Sequence, residues 1–223
     1  MMSRRHLFNT IAELPRTIAI FPLARALVLP GLQLPLNIFE PRYLAMVDDC
    51  LGGERVIGMI QPHAEAPGGA GLPSLYRVGC LGRLTSFRET GDGRYLIVLE
   101  GVCRFRIAEE LAVATPYRQV AASYEEFAAD LQPPASVIAD RDQLLHHLKH
   151  YLSQQKLNAD WKAIESATTE ALVNSLTLSC PFEISEKQAL LEAATPTARA
   201  DILLALIQMA GTGPGDPNDA SLQ

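Results

Sequence analysis

The chain is short of several things, and each shortage removes a class of protein. It has four cysteines, one tryptophan and 6% aromatic residues in 223 positions. Cys50, Cys80, Cys103 and Cys180 form no C-x-x-C pair and have no histidine at zinc-ligand spacing. That excludes a disulfide-stapled miniprotein and a zinc ribbon, and leaves buried, reduced thiols as the expectation. No segment approaches the roughly 18 consecutive apolar residues that a membrane-spanning helix needs. Excess positive charge is missing as well: 19 Lys and Arg face 25 Asp and Glu, a formal net charge of −6. Affinity built on neutralising nucleic-acid phosphates requires the opposite balance.

Signals for catalytic chemistry are equally sparse. The acidic pairs Asp48-Asp49, Glu109-Glu110 and Glu125-Glu126 are adjacent, so their carboxylates do not share a helix or strand face. They read as solvated surface. Gly68-Gly69-Ala70-Gly71 lacks both the lysine and the strand-then-helix setting of a phosphate loop. His146 and His150 share a helical face at i, i+4, but that face is opposite the Leu144, Leu148, Leu152 stripe and has no third ligand nearby. No metal site, catalytic residue or cofactor is expected. Ser3-Arg4-Arg5-His6-Leu7-Phe8 has the outline of a twin-arginine signal, yet Asn9, Thr10, Glu13 and Pro15 stand where an apolar stretch should follow. A cytoplasmic protein is expected.

What is present divides into a β half and an α half. In the first, Ile18 to Leu23 and Leu27 to Phe39 are β-rich, and Pro22, Pro30 and Pro35 interrupt them, which calls for short, bent edge strands. Leu34, Leu36 and Ile38 alternate on one face. Pro41 suits a helix N1 position, with Tyr43, Val47, Cys50 and Leu51 on the apolar stripe and Gly52-Gly53 as the stop. Val56 to Ile60 reads as a buried strand, and Pro62 to Pro73 as a Gly, Pro and Ala loop. Tyr76 to Phe87 and Tyr95 to Leu99 follow, joined through an Asp92-Gly93 hairpin turn. Val102 to Ile107 and Arg118 to Tyr124 bring the count to about six or seven strands, as in a small barrel or sandwich.

Past Leu131-Gln132-Pro133-Pro134 the apolar period changes from two to about 3.6. Ser136 is placed to cap a helix carrying Val137, Leu144, Leu148 and Tyr151. A second helix is expected from Ile164 to Leu178. Ser185-Glu186-Lys187-Gln188 matches a capping box, and Thr195-Pro196 an N-cap and N1 pair for the last helix. The domain reading is a barrel over 16–125 and a helical bundle over 134–210, with 1–15 and 212–223 as flexible tails.

Phe21-Pro22-Leu23, Leu29-Pro30-Gly31, Leu34-Pro35-Leu36 and Ile38-Phe39-Glu40-Pro41-Arg42-Tyr43 together resemble the signature of the Lon protease N-terminal region. Glu170 to Leu176, Ser185 to Glu192 and Thr195 to Leu206 resemble its ending, so the resemblance covers about residues 16 to 210. It implies an α+β fold: a PUA-like β-barrel with one short helix, then an α-helical bundle. It also implies a role in recognising polypeptide substrates, as a stand-alone binding module, adaptor or regulator of proteolysis. The Lon ATPase needs G-x-x-x-x-G-K-[ST], and no such string occurs; nothing resembles the family's serine motif either. No peptidase activity is therefore expected of this chain.

The partners expected are polypeptide clients or a protease complex, with no membrane. The loop from His63 to Leu75 is the candidate contact, with Leu72 and Leu75 as its apolar groups, against the plainer reading that both anchor the loop to the barrel. Two alternatives belong to other classes. PUA-like barrels also bind RNA, and Arg104 and Arg106 alternate with Val102, Cys103 and Phe105, so a basic stripe with Arg77, Arg83, Arg88, Arg94 and Arg118 is conceivable. Against it, Glu89, Asp92 and Glu100 interleave and no aromatic stacking platform is evident. A small-molecule site formed by residues distant in sequence is the third reading.

Overall fold

A computed structural model describes residues 8–67, 73–133, 139–155 and 158–211. It is an α+β protein, with eight strands and six α-helices among the described residues. The chain divides into two compact units, one comprising 1–134 and 181–191, the other 135–180 and 192–223.

The first unit is built on a six-stranded mixed sheet of β1 (Thr17–Pro22), β2 (Gln33–Ile38), β3 (Val56–Ile60), β6 (Val78–Glu89), β7 (Tyr95–Leu111) and β8 (Gln119–Ser123), in the order β2-β7-β6-β3-β1-β8. A further β7–β8 pairing closes β1, β3, β6, β7 and β8 into a ring. Only β1 and β3 run parallel. Closure removes edges that would otherwise be open to pairing. The two long strands make this possible. β7 carries 17 residues, so its first half pairs with β2 while its second half pairs with β8. The break expected near Gly101 does not occur, because a bulge at Val102 keeps the alternation in step. Ile97, Leu99, Cys103, Phe105 and Ile107 are all buried.

The ring is narrow, and glycine sets its bore. Phe105 is fully buried. A Cβ on Gly79 would stand 2.6 Å from the Phe105 ring and 2.5 Å from the Met59 carbonyl oxygen, and one on Gly58 3.0 Å from the same ring. Gly101 plays a different part, letting the segment before β2 cross β7. Pro30 bridges to it, Gly31 N–H donates to its carbonyl at 2.8 Å, and an added Cβ would fall 2.1 Å from the Leu29 oxygen.

Pro35 lies in β2, which has a neighbour on one side only, as a proline inside a strand requires. Pro22, by contrast, ends β1 inside the ring, so β1 is not the edge strand that its proline suggested. Helix α1 (Pro41–Gly52) starts with Pro41 at N1 and buries Tyr43, Met46, Val47 and Cys50; Leu51 is only half-buried. The expected loop after Pro62 is in part a two-stranded ribbon, β4 (Pro62–Pro67) with β5 (Pro73–Leu75). Residues 8–15 are also tied down: Leu14 is buried and the Pro15 carbonyl accepts from the Tyr124 hydroxyl at 2.8 Å.

Helix α5 (Ile184–Glu192) groups with the barrel, although it lies between two helices of the other unit in sequence. Buried amides hold it there. Gln61 Nε2 donates to Gln188 Oε1 at 3.0 Å and to the Ile184 carbonyl at 3.1 Å, and Gln188 Nε2 donates to the Val78 carbonyl at 3.0 Å. Its capping box sits two residues before the expected one. The Glu186 carboxylate accepts from Glu183 N–H at 2.8 Å, so Glu183 and not Ser185 opens the helix.

The second unit holds α2 (Arg141–Gln154), α3 (Trp161–Ser166), α4 (Thr169–Ser179) and α6 (Pro196–Gly211), with α6 packed on α2 and α4. Asp140 caps α2, and the expected cap Ser136 lies outside the described residues with Val137. The single helix expected over Ile164 to Leu178 is two, because Thr168 takes an extended conformation and caps α4 by accepting from Ala171 N–H at 3.2 Å. Thr195 caps α6 as its sequence suggests, at 3.1 Å from Ala198 N–H. Among the described residues no helix is long and apolar enough to cross a membrane.

Candidate functional site

Past the closed ring, β2, β7 and β6 continue as a three-stranded extension. Directly opposed residues share a face, so the register defines apolar rows. Leu34, Leu99 and Leu84 make one row, Leu36, Ile97 and Phe87 the next, and Ile38, Tyr95 and Glu89 the last. The centre of this ladder is closed: Leu84, Leu99, Ile97 and Ile38 are buried. Its margins are open. Leu34 and Leu36 are half-buried and Phe87 is 38% exposed. Phe87 meets Tyr95 edge to face at 4.9 Å between centroids. The Tyr95 phenol bonds to the Asp48 carboxylate of α1, which with burial holds its pKa above the ordinary tyrosine value.

At the end of β2 stands Phe39, 61% exposed. The Arg94 guanidinium lies 5.9 Å from its ring centre, within cation–π range. Glu40 and Arg42 pair at 2.8 Å beside it, and Arg42 covers Tyr43 at 4.5 Å. Tyr43 in turn packs on Phe21 at 4.3 Å. One continuous motif thus supplies the half-buried leucines, an exposed aromatic, a charged rim and the anchor beneath. Exposed large apolar side chains on a rigid sheet are the usual mark of a contact surface, and Phe39 and Phe87 are two such groups. The alternation of Leu34, Leu36 and Ile38 was readable in sequence; the exposure of Phe39 and Phe87 was not, since it depends on what packs over each face.

The loop candidates are placed differently. Leu72 lies outside the described residues. Leu75 is in β5 opposite Pro62 and is half-buried. At the base of this ribbon His63 stacks on Tyr76 at 4.7 Å, and Arg118 Nη1 donates to the Pro73 carbonyl at 2.9 Å.

The arginines do not assemble into an open stripe. Arg104 is 6% exposed, so its expected surface position beside Arg106 is corrected: a 3₁₀ segment, Glu125–Leu131, and α5 contribute its partners. Arg106 pairs with Glu126 at 2.7 Å, Arg118 with Glu110 at 2.6 Å and Arg94 with Asp92 at 3.0 Å. These three, and Arg104 with Asp130, are each matched by a carboxylate, while Arg77 donates to the Ile107 carbonyl at 2.8 Å. The four cysteines are free and buried. Burial pushes the Cys50 thiol up to about 11 and Cys103 up to about 12, which keeps both in the unreactive thiol form. Among the described residues no three His, Cys, Asp or Glu side chains are grouped to hold a metal ion.

Comparison with known proteins agrees with this architecture. The family model for the ATP-dependent protease La (LON) substrate-binding domain matches residues 17–209. Lon protease 2 of Myxococcus xanthus is 25% identical over 198 residues, which are 87% of this chain but 24% of that protein. The chain thus spans about a quarter of the length of such relatives, and the match is to their substrate-binding region and not to their protease module. The fold is shared with a Lon N-terminal domain protein from Xanthomonas campestris, at a TM-score of 0.57 and 22% identity over 85% of this chain and 97% of that one. The N-terminal domain of a Mycobacterium avium complex Lon protease also has a TM-score of 0.57, at 14% identity over 86% of this chain and 98% of that one. This chain belongs to the Lon substrate-binding domain family.

Proposed function

We propose that this chain is a non-catalytic polypeptide-recognition module of the cytoplasm, an adaptor or regulator of proteolysis, and that unfolded clients dock on the open margins of the β2–β7–β6 extension. The observation that carries the reading is the pairing of exposed Phe39 and Phe87 with an apolar ladder whose centre is already closed. A client need only cover the margins, so little of the module has to reorganise on binding. Aromatic anchors beside charged rims suit apolar segments of varied sequence. The names of the relatives, Lon proteases, support a polypeptide as the ligand.

Leu75, on the β4–β5 ribbon, belongs to the same proposal as a second contact, together with Leu72, which lies outside the described residues. Hydrogen exchange with and without a permanently unfolded client tests the placement. Protection should gather on β2, the β6–β7 turn and Phe39, and extend to Leu75 only if the ribbon takes part. Protection confined to the helical unit would contradict the reading.

A further inference from the structure

Helices α2 and α3 flank an open cavity of about 380 Å³ lined by Asp142, Leu145, His146, Lys149, Trp161 and Glu165. Asp142, Leu145, His146 and Lys149 recur at i, i+3, i+4 and i+7, so they form one face of α2. Trp161 and Glu165 are one turn apart on α3. The two helices run in opposite directions: Arg141 at the start of α2 donates through Nη2 to the carbonyls of Ile164 and Glu165, near the end of α3, at 2.9 and 3.0 Å. Arg141 is turned onto those carbonyls and does not line the cavity.

This arrangement sorts the charges. Asp142 and Glu165 fall at one end, Lys149 and the Trp161 indole at the other, with Leu145 and His146 between. Among the described residues, neither carboxylate, nor the Lys149 ammonium, nor the indole N–H has a partner within the chain. The acidic and basic ends lie seven residues apart on α2, about 10 Å along the axis. A ligand that satisfies both ends carries a cation and a carboxylate held apart by an apolar stem, with a hydrogen bond of about 3 Å at each end closing the gap.

From this geometry we infer that the α2–α3 cavity binds a basic amino-acid unit with a free carboxylate, either a free amino acid or the C-terminal Arg or Lys of a polypeptide. The side-chain cation meets Asp142 and Glu165, as a guanidinium does most effectively. The methylene stem lies on Leu145 and the Trp161 ring, and the carboxylate takes Lys149 and the indole N–H. The site is separate from the barrel face, so either can fail without the other.

Trp161 is the only tryptophan of the chain, so its emission reports on this cavity alone. Three probes distinguish the sources: free L-arginine, a short peptide ending in arginine carboxylate, and the same peptide as its C-terminal amide. The expected result is a saturable change in emission with at least one of the first two, and binding about tenfold weaker for the amide. Binding of arginine assigns the free amino acid, and binding of the acid peptide alone assigns a polypeptide terminus. Glu165→Gln with Asp142→Asn should weaken the active probe by about tenfold or more, and Lys149→Met should remove the preference for acid over amide. All three positions are solvent-exposed, so the variants should keep the native circular dichroism. No saturable change at millimolar probe, or a response unaltered in these variants, would overturn the inference.

Discussion

The Arg104 guanidinium grips both carboxylate oxygens of Asp130, from Nε to Oδ2 and from Nη2 to Oδ1, each at 2.8 Å. Its remaining terminal nitrogen donates to the Leu191 carbonyl of α5 at 3.1 Å, and Phe127 lies 4.8 Å beneath it. Both charged side chains are about nine-tenths buried. A strand of the barrel, the 3₁₀ segment and α5 therefore share one ion pair.

Breaking that pair from either side should be costly. Arg104→Met leaves the Asp130 carboxylate buried without its counter-charge, and a loss of about 3–5 kcal/mol is expected. Arg104→Met with Asp130→Leu should lose much less than the two single changes added, since no charge is then stranded. Urea unfolding of the four proteins measures this, and additive losses would refute the coupling.

Packing in the ring gives a second expectation. Gly58→Ala pushes only on side chains, Ile18 and Phe105, whereas Gly79→Ala also meets the Met59 carbonyl. Each should destabilise by about 1–3 kcal/mol, with Gly79→Ala the worse. Adding Phe105→Leu should recover part of the Gly58→Ala loss and little of the other. Thermal melts that rank the pair in the reverse order would contradict this account of the bore.

Much of this was legible in the chain, and the reasons differ by element. The alternation in Leu34 to Ile38, the Asp92-Gly93 turn and the Thr195-Pro196 start are local signals, and local geometry follows them: Gly93, for example, takes φ 77°. Assignment of α5 to the barrel was not legible, because Gln61 and Gln188 are 127 positions apart and each is unremarkable alone. Arg104 shows the same limit. Alternation placed it correctly on the outer side of β7, but only the later arrival of Asp130 and Leu191 buries that side. The single helix expected over Ile164 to Leu178 failed at two residues, Ala167 and Thr168, both extended, where Thr168 caps more favourably than it propagates.

Alkaline pH should unfold the protein by a defined route. Burial, then the hydrogen bond to Asp49 at 2.6 Å, raises the Tyr117 phenol to about 12, against about 10 when unfolded. A raised folded value means the unfolded chain ionises first. The contribution is therefore complete below pH 10 and declines as pH rises towards 12. Cys50 and Cys103 add to it from about pH 9 upwards. Stability measured from pH 8 to 12 should fall, and Tyr117→Phe should flatten the part above pH 10.

The same burial predicts thiol behaviour. All four cysteines should resist a thiol-specific disulfide reagent at pH 8 in the native protein and react together once it is denatured. Rapid native labelling of Cys103 would show that the inner face of β7 is open to solvent.

The central claim is tested most directly by the equilibrium affinity of the whole chain for a fluorescently labelled, permanently unfolded polypeptide, measured without ATP. Phe39→Ser with Phe87→Ser should lower the melting temperature only modestly, through the lost Phe87–Tyr95 contact, and weaken binding by about tenfold or more. Affinity unchanged in the folded double variant would contradict docking on these margins, and absence of binding by the unaltered chain would contradict polypeptide recognition itself.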